Sequence, residues 1–252
     1  LREPKMNAIY TNSPIIEVVA EFQFENPTEW DLMLPGAMYE RLKEDFPKRQ
    51  QISTIRGVQI TSGPSGGFQQ FIPQNRMQFL REDGSALVQI GPDIMAINHL
   101  QPYKSWESSF KPILTRGWNC YLDAGGKKTV QGVSLRYINR VQIPNKSTGF
   151  CQFEDYLEFR PYTGPALPKD HGPFMVFVTY PYRDKSDLLT LQLQSENGLA
   201  DHTTFLLDIN YRLQKEMPNN ELLMDWFEVA HGHINTMFEN CLTEKLRDLF
   251  RS

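Results

Sequence analysis

Cysteine is scarce in this sequence: there are three, Cys120, Cys151 and Cys241, in 252 residues. An odd number, widely spaced and with no CxxC pair, excludes a disulfide framework and predicts a reducing, cytoplasmic setting. Long hydrophobic runs are missing too. No uninterrupted apolar stretch approaches the roughly 18–20 residues of a membrane span. The first ten residues lack the apolar stretch of a signal peptide, so no membrane partner is expected. Neither sign of charge dominates: 26 Lys and Arg stand against 30 Asp and Glu, a formal net charge of −4. That balance gives no field to gather nucleic acid or anionic lipid. The basic pair Lys127-Lys128 is the strongest such cluster, and nucleic-acid binding is disfavoured.

What is present is an ordinary globular composition, 40% hydrophobic and 22% charged, in a length near the upper limit for one core. Ile15 to Phe24 is rich in β-branched and aromatic residues and predicts a strand with one buried face. Pro35 opens a helix carrying Met38, Tyr39, Leu42 and Phe46, and Pro47 stops it. Short strands follow over Gly57–Ser62, Phe68–Ile72, Arg76–Arg81, Ala86–Ile90 and Ile94–Leu100, with Asp83-Gly84 as a hairpin signal. Ser105 reads as an N-cap for an aromatic-rich helix that ends at Gly125-Gly126, with Pro112 kinking it.

The second half reads similarly. Val133 to Ile143 is a strand and Phe153 to Phe159 is ambiguous. Phe174–Tyr180, Leu188–Gln194 and Thr203–Leu213 are antiparallel strands. Asn219 or Asn220 caps a long helix whose apolar stripe runs from Leu223 to Leu249, on the order of 45 Å. No Pro-rich or low-complexity linker intervenes. The expected fold is α+β: two fused β-α-β(n)-α halves, 1–130 and 131–252, with antiparallel sheets and a long C-terminal helix. One continuous domain is the alternative.

Motifs with chemistry mostly fail on inspection. Gly63-Pro64-Ser65-Gly66-Gly67 matches GxSxG, but a nucleophile elbow needs a helix after it and a strand-like FQQFI follows. Gly125-Gly126-Lys127-Lys128-Thr129 resembles the end of a P-loop, but Tyr121 stands where its first glycine belongs and Lys128 where Ser or Thr would hold magnesium. His231 and His233 lie about 200° apart on a helix, so they cannot share one metal. His231 reads as a hydrogen-bonded core histidine. No catalytic residue, metal site or cofactor is expected.

Two segments are more distinctive. Asn98 to Trp106 joins a strand to the aromatic helix and carries Tyr103. Leu135-Arg136-Tyr137-Ile138-Asn139-Arg140 is a strand whose alternation puts Arg136 and Arg140 on one face and Tyr137 and Asn139 on the other. Paired arginines can clamp an oxyanion; the same pattern suits cross-strand ion pairs, which we favour.

These segments also carry a resemblance. Asn12-Ser13-Pro14-Ile15-Ile16-Glu17, Leu87 to Gly91, Asn98 to Trp106, Leu135 to Arg140, Leu207-Asp208-Ile209, Ala230-His231 and Leu242 to Arg247, in this order over nearly the whole chain, resemble an uncharacterised conserved family of bacteria and archaea. The resemblance implies a mobile accessory protein, with a place beside a defence or toxin-type system. It implies no activity and no catalytic residues.

The first functional reading is therefore a non-enzymatic protein-binding or regulatory accessory protein. A 12% aromatic content with Trp30, Trp106, Tyr180 and Tyr182 in exposed-looking positions suggests a protein partner. The alternative is a small-ligand-binding protein or enzyme with a site between sheet and helices. Candidate ligand- or partner-binding residues are Arg136, Arg140, Tyr137, Asn139, Asn98, Tyr103, Trp106 and His231. The oligomeric state is left open.

Overall fold

The structure, a computed structural model, describes residues 10–25, 30–63, 66–126, 129–145, 153–162, 164–167, 173–196, 202–213, 217 and 222–251. Ser65, Lys127-Lys128, Cys151 and the Asn219/Asn220 cap lie outside the described residues. The described strands are β1 (Ile15–Phe24), β2 (Lys48–Gly63), β3 (Gly66–Leu80), β4 (Ala86–Gly91), β5 (Ile94–Leu100), β6 (Val130–Pro144), β7 (Met175–Tyr182), β8 (Asp187–Glu196) and β9 (His202–Leu213). They form one sheet in the order β2-β3-β4-β5-β1-β6-β9-β8-β7. Every pairing is antiparallel. The chain is thus mixed α+β with an antiparallel sheet.

Strand alternation divides this sheet into two unlike faces. Phe79, Val88, Ile97, Ala20, Leu135 and Tyr211 stand opposite one another across successive strands and are all buried. Helices cover this row. Tyr39 of α1 (Leu34–Leu42) packs on Phe79, and Trp226 of α3 (Leu223–Cys241) packs on Tyr211. Phe22 of β1 is stacked on Trp118 of α2 (Lys111–Asp123), centroids 4.8 Å apart, and meets Phe227 of α3 edge-on. Gly117 lets α2 come close to the sheet, since a Cβ there would lie 2.7 Å from Ile97 Cδ1.

The other face is polar. A row of amides crosses it: Gln50 donates to Gln78, Gln78 to Gln89, Gln89 to Asn98, and Asn98 to the Glu17 carboxylate, at 2.7–2.8 Å. Such cross-strand pairs fix register where no core does.

Several expectations need correcting. The segments read as separate strands before and after Pro73 are one strand, β3. Pro73 is tolerated because β4 pairs only with Met77–Leu80, so its missing N–H interrupts no ladder on that side. The aromatic helix starts with a π-helical turn, Trp106–Phe110, capped by Ser105 Oγ accepting from the Ser108 N–H. Pro112 then sits in the first turn of α2, where its missing N–H costs least. Gly125, at φ +89°, closes α2.

The long C-terminal helix is two helices. Leu242 is extended, and α4 (Glu244–Arg251) starts afresh. The break is made from far away in sequence. Leu157 forms an antiparallel bridge with Leu242, the Glu158 N–H donates to Cys241 O, and the Thr243 N–H donates to Tyr156 O. The ambiguous Phe153–Phe159 segment therefore contains a 3-10 turn, Phe153–Asp155, and a clamp on the α3–α4 joint. That turn stands where the first half carries α1. Among the described residues, no helix is long and apolar enough to cross a membrane.

Candidate functional site

The β6 alternation separates the sequence candidates. Arg136 and Arg140 stand on the open face. Arg136 Nε donates to both Asp208 carboxylate oxygens, at 2.8 and 3.0 Å, and its Nη2 completes a fork on the same group. Asp208 hydrogen bonding holds this guanidinium charged against the opposing pull of burial. Arg140 makes a similar fork on Glu196, at 2.9 and 3.1 Å. Both arginines are committed to cross-strand carboxylates. Asn98 belongs to the amide row, and Asn139 is buried with its amide donating to Leu207 O at 3.0 Å.

Tyr137, Tyr103, Trp106 and His231 converge instead on the covered face, around a cavity of about 430 Å³. Each is placed by a different element. Tyr137 points inward from β6. Tyr103 lies in the loop after β5, edge-on to the buried His99 ring at 5.6 Å. Trp106 is the first helical residue after the Ser105 cap. His231 comes from α3, and its ring stacks on Trp106 with centroids 4.6 Å apart and planes 9° from parallel.

Their polar atoms form one chain. Tyr103 Oη lies 3.1 Å from Tyr137 Oη, which lies 2.9 Å from His231 Nδ1, and Asn235 Nδ2 lies 3.0 Å from His231 Nε2. An amide nitrogen can only donate, so Nε2 accepts and the imidazole proton sits on Nδ1. Burial lowers the His231 pKa to about 4, although Glu228 and Glu107 pull the other way, so the ring is neutral at physiological pH. Burial also raises Tyr103 and Tyr137 far above the ordinary phenol value. The chain carries no charge.

Helical spacing brings three further groups to the wall. Glu228, Asn235 and Phe238 share the His231 face of α3, three or four residues apart. Trp106 Nε1 donates to Glu228 at 3.0 Å, and Lys111 lies 2.6 Å from the other oxygen. Burial works to raise the Glu228 pKa; the bonds from Lys111 and Trp106 outweigh it and leave the pKa below its ordinary value. Tyr10, from the segment before β1, donates to Glu239 at 2.8 Å, and Arg247 of α4 holds the other Glu239 oxygen at 2.9 Å.

Sequence reasoning missed Tyr10, Glu228, Asn235 and Glu239. The three- and four-residue steps from His231 could have found two of them. Tyr10 and Glu239 meet only through tertiary folding. His233, on the other side of α3, lies against Tyr182 and Tyr211. Contrary to expectation, Trp106 is buried, and Trp30, Tyr180 and Tyr182 are half-buried against the core. Among the described residues no group of His, Cys, Asp and Glu could hold a metal ion. No protein-family model matches the chain, and no curated protein matches it.

Proposed function

We propose that this protein binds a small organic molecule in the cavity between β6, the loop after β5 and α3. The observation that carries the reading is the cavity, of about 430 Å³ and walled by Tyr10, Trp106 and Phe238 beside the Tyr103–Tyr137–His231–Asn235 chain. A concave space that combines aromatic walls with convergent polar groups is the usual form of a ligand site. Both nitrogens of His231 are engaged, which favours binding over acid–base catalysis. NMR titration of the labelled protein with a mixed small-molecule library tests it, read at the Trp106 indole N–H. Ligands should shift that signal in the native protein and fail to do so when Asn235→Trp fills the cavity. Library hits that all shift residues elsewhere would overturn the reading.

A second reading keeps the protein-binding accessory role, beside a defence or toxin-type system as the resemblance implies, in the cytoplasm. It is supported by edge strand β7, whose sequence MVFVTYPY carries no charge and whose Met175 and Phe177 are each 59% exposed. Uncharged edges invite strand pairing. A stoichiometric partner recovered from the host and lost on Phe177→Lys would support it; no partner at all would count against it. The proposal extends to descent from two halves meeting near residue 130. It draws support from β1 and β6, which lie side by side at the centre, each paired outward with the last strand of its own half.

A further inference from the structure

Each carboxylate on the wall of this cavity is paired. Three carboxylates reach it, Glu107, Glu228 and Glu239. Lys111 lies 3.2 Å from Glu107 and 2.6 Å from Glu228, and Arg247 holds Glu239. Lys104, exposed at the rim, makes no ion pair among the described residues and offsets the remaining charge from the solvent side. The deeper polar groups are neutral. A cationic ligand would lose hydration on entry and find every wall carboxylate already paired, and an anionic one would find only Lys104, in solvent at the rim, so either exchange is penalised.

The polar chain also has a direction. Asn235 donates to His231 Nε2, so His231 Nδ1–H donates to Tyr137. Either hydroxyl could donate across the 3.1 Å Tyr103–Tyr137 contact, but Tyr137 is the more deeply buried and has no other acceptor in the chain, so satisfying it makes Tyr137 the donor and Tyr103 the acceptor. The run of donors ends on the Tyr103 O–H, which has no further acceptor of its own in the chain. Tyr103 lines the cavity and its hydroxyl faces a ligand as a donor, so the ligand group that matches it is an acceptor. Around it stand Trp106, Tyr10 and Phe238, an aromatic part of the wall that suits a flat molecule.

Resting on the ligand-binding reading above, the geometry points to an uncharged planar ring compound bearing a carbonyl-type acceptor, received by the Tyr103 hydroxyl. An ordinary cavity of this size holds a one- or two-ring molecule.

Three probes with one ring system test the class: indole-3-acetamide, indole-3-acetate and tryptamine, titrated by calorimetry and by NMR at the Trp106 indole N–H. The amide should bind at least about ten times more tightly than either charged analogue. Tyr103→Phe should remove most of that advantage while thermal unfolding shows the fold retained. If Tyr103→Phe fails to fold, the ranking on the native protein decides alone. A charged probe that shifts the Trp106 signal and binds as tightly as the amide overturns the class and leaves the cavity reading standing. If none of the three moves that signal, the class falls, and the library titration alone decides the cavity reading.

Discussion

Arg136 and Tyr137 are neighbours in β6 and live in different media. On the open face, Arg136 meets Asp208 on the neighbouring strand, in contact with water, and the pair is complete. On the covered face, Tyr137 is buried and joined to residues from the β5 loop and α3, at the wall of the cavity. Both are polar residues with satisfied bonds. The difference is what surrounds them. A polar group in water finds a partner anywhere and is worth little. One buried among rings needs each partner placed, and there an added ligand group has most to gain.

That contrast can be broken by substitution, strongest first. Phe22→Ala on the covered face should lower unfolding free energy by about 3–5 kcal/mol in urea titration, since the ring is fully buried against Trp118 and Phe227. A loss under about 1 kcal/mol would mean that this face is not the core. His231 should give the next effect, through pH. Its unfolded form takes a proton near the ordinary 6.5, and its folded form only near 4, because burial opposes the charge. Between those values the unfolded state holds more protons, so stability falls as pH drops from 6.5 to 4 and is unaffected above. The full span amounts to up to about 3 kcal/mol. His99 and His233 are pushed down by burial too. The difference between native protein and His231→Gln isolates this residue, and parallel pH curves would refute it.

Smaller effects belong to the open face. Asn98→Ala should cost about 1–2 kcal/mol, because it strands Gln89 and Glu17 in a half-buried row. Arg136→Ala and Arg140→Ala should each cost under about 1 kcal/mol and less at high salt. They should leave probe binding unchanged. Loss of binding in either variant would return the site to the open face.

Much of this contrast was legible in the sequence. A period of two in Leu135 to Arg140 separates the arginines from Tyr137 and Asn139 with no tertiary information. Ser105 announces its cap by residue type and position. What escaped was decided at long range. The Asp208 and Glu196 partners depend on the β6–β9 and β8–β9 registers. The stripe Phe238, Leu242, Leu246 and Leu249 keeps helical spacing straight through the Leu242 break, since the clamp comes from Tyr156, Leu157 and Glu158, more than eighty positions earlier. The cavity escaped for the same reason, its wall being drawn from the segments around Tyr10, Tyr103, Tyr137 and His231.

The central β1–β6 pairing also governs how the molecule can assemble. Each flank, β2 to β5 and β7 to β9, joins strands adjacent in sequence and can form by short-range closure. The middle pair brings Val18 to Tyr137 across more than a hundred residues. Contacts at such separation form slowly, because the chain entropy is lost before any contact compensates it. Folding should therefore be limited by the sheet's middle rather than its margins. A substitution such as Val18→Ala should slow refolding, while one in the β8–β9 pair should chiefly hasten unfolding.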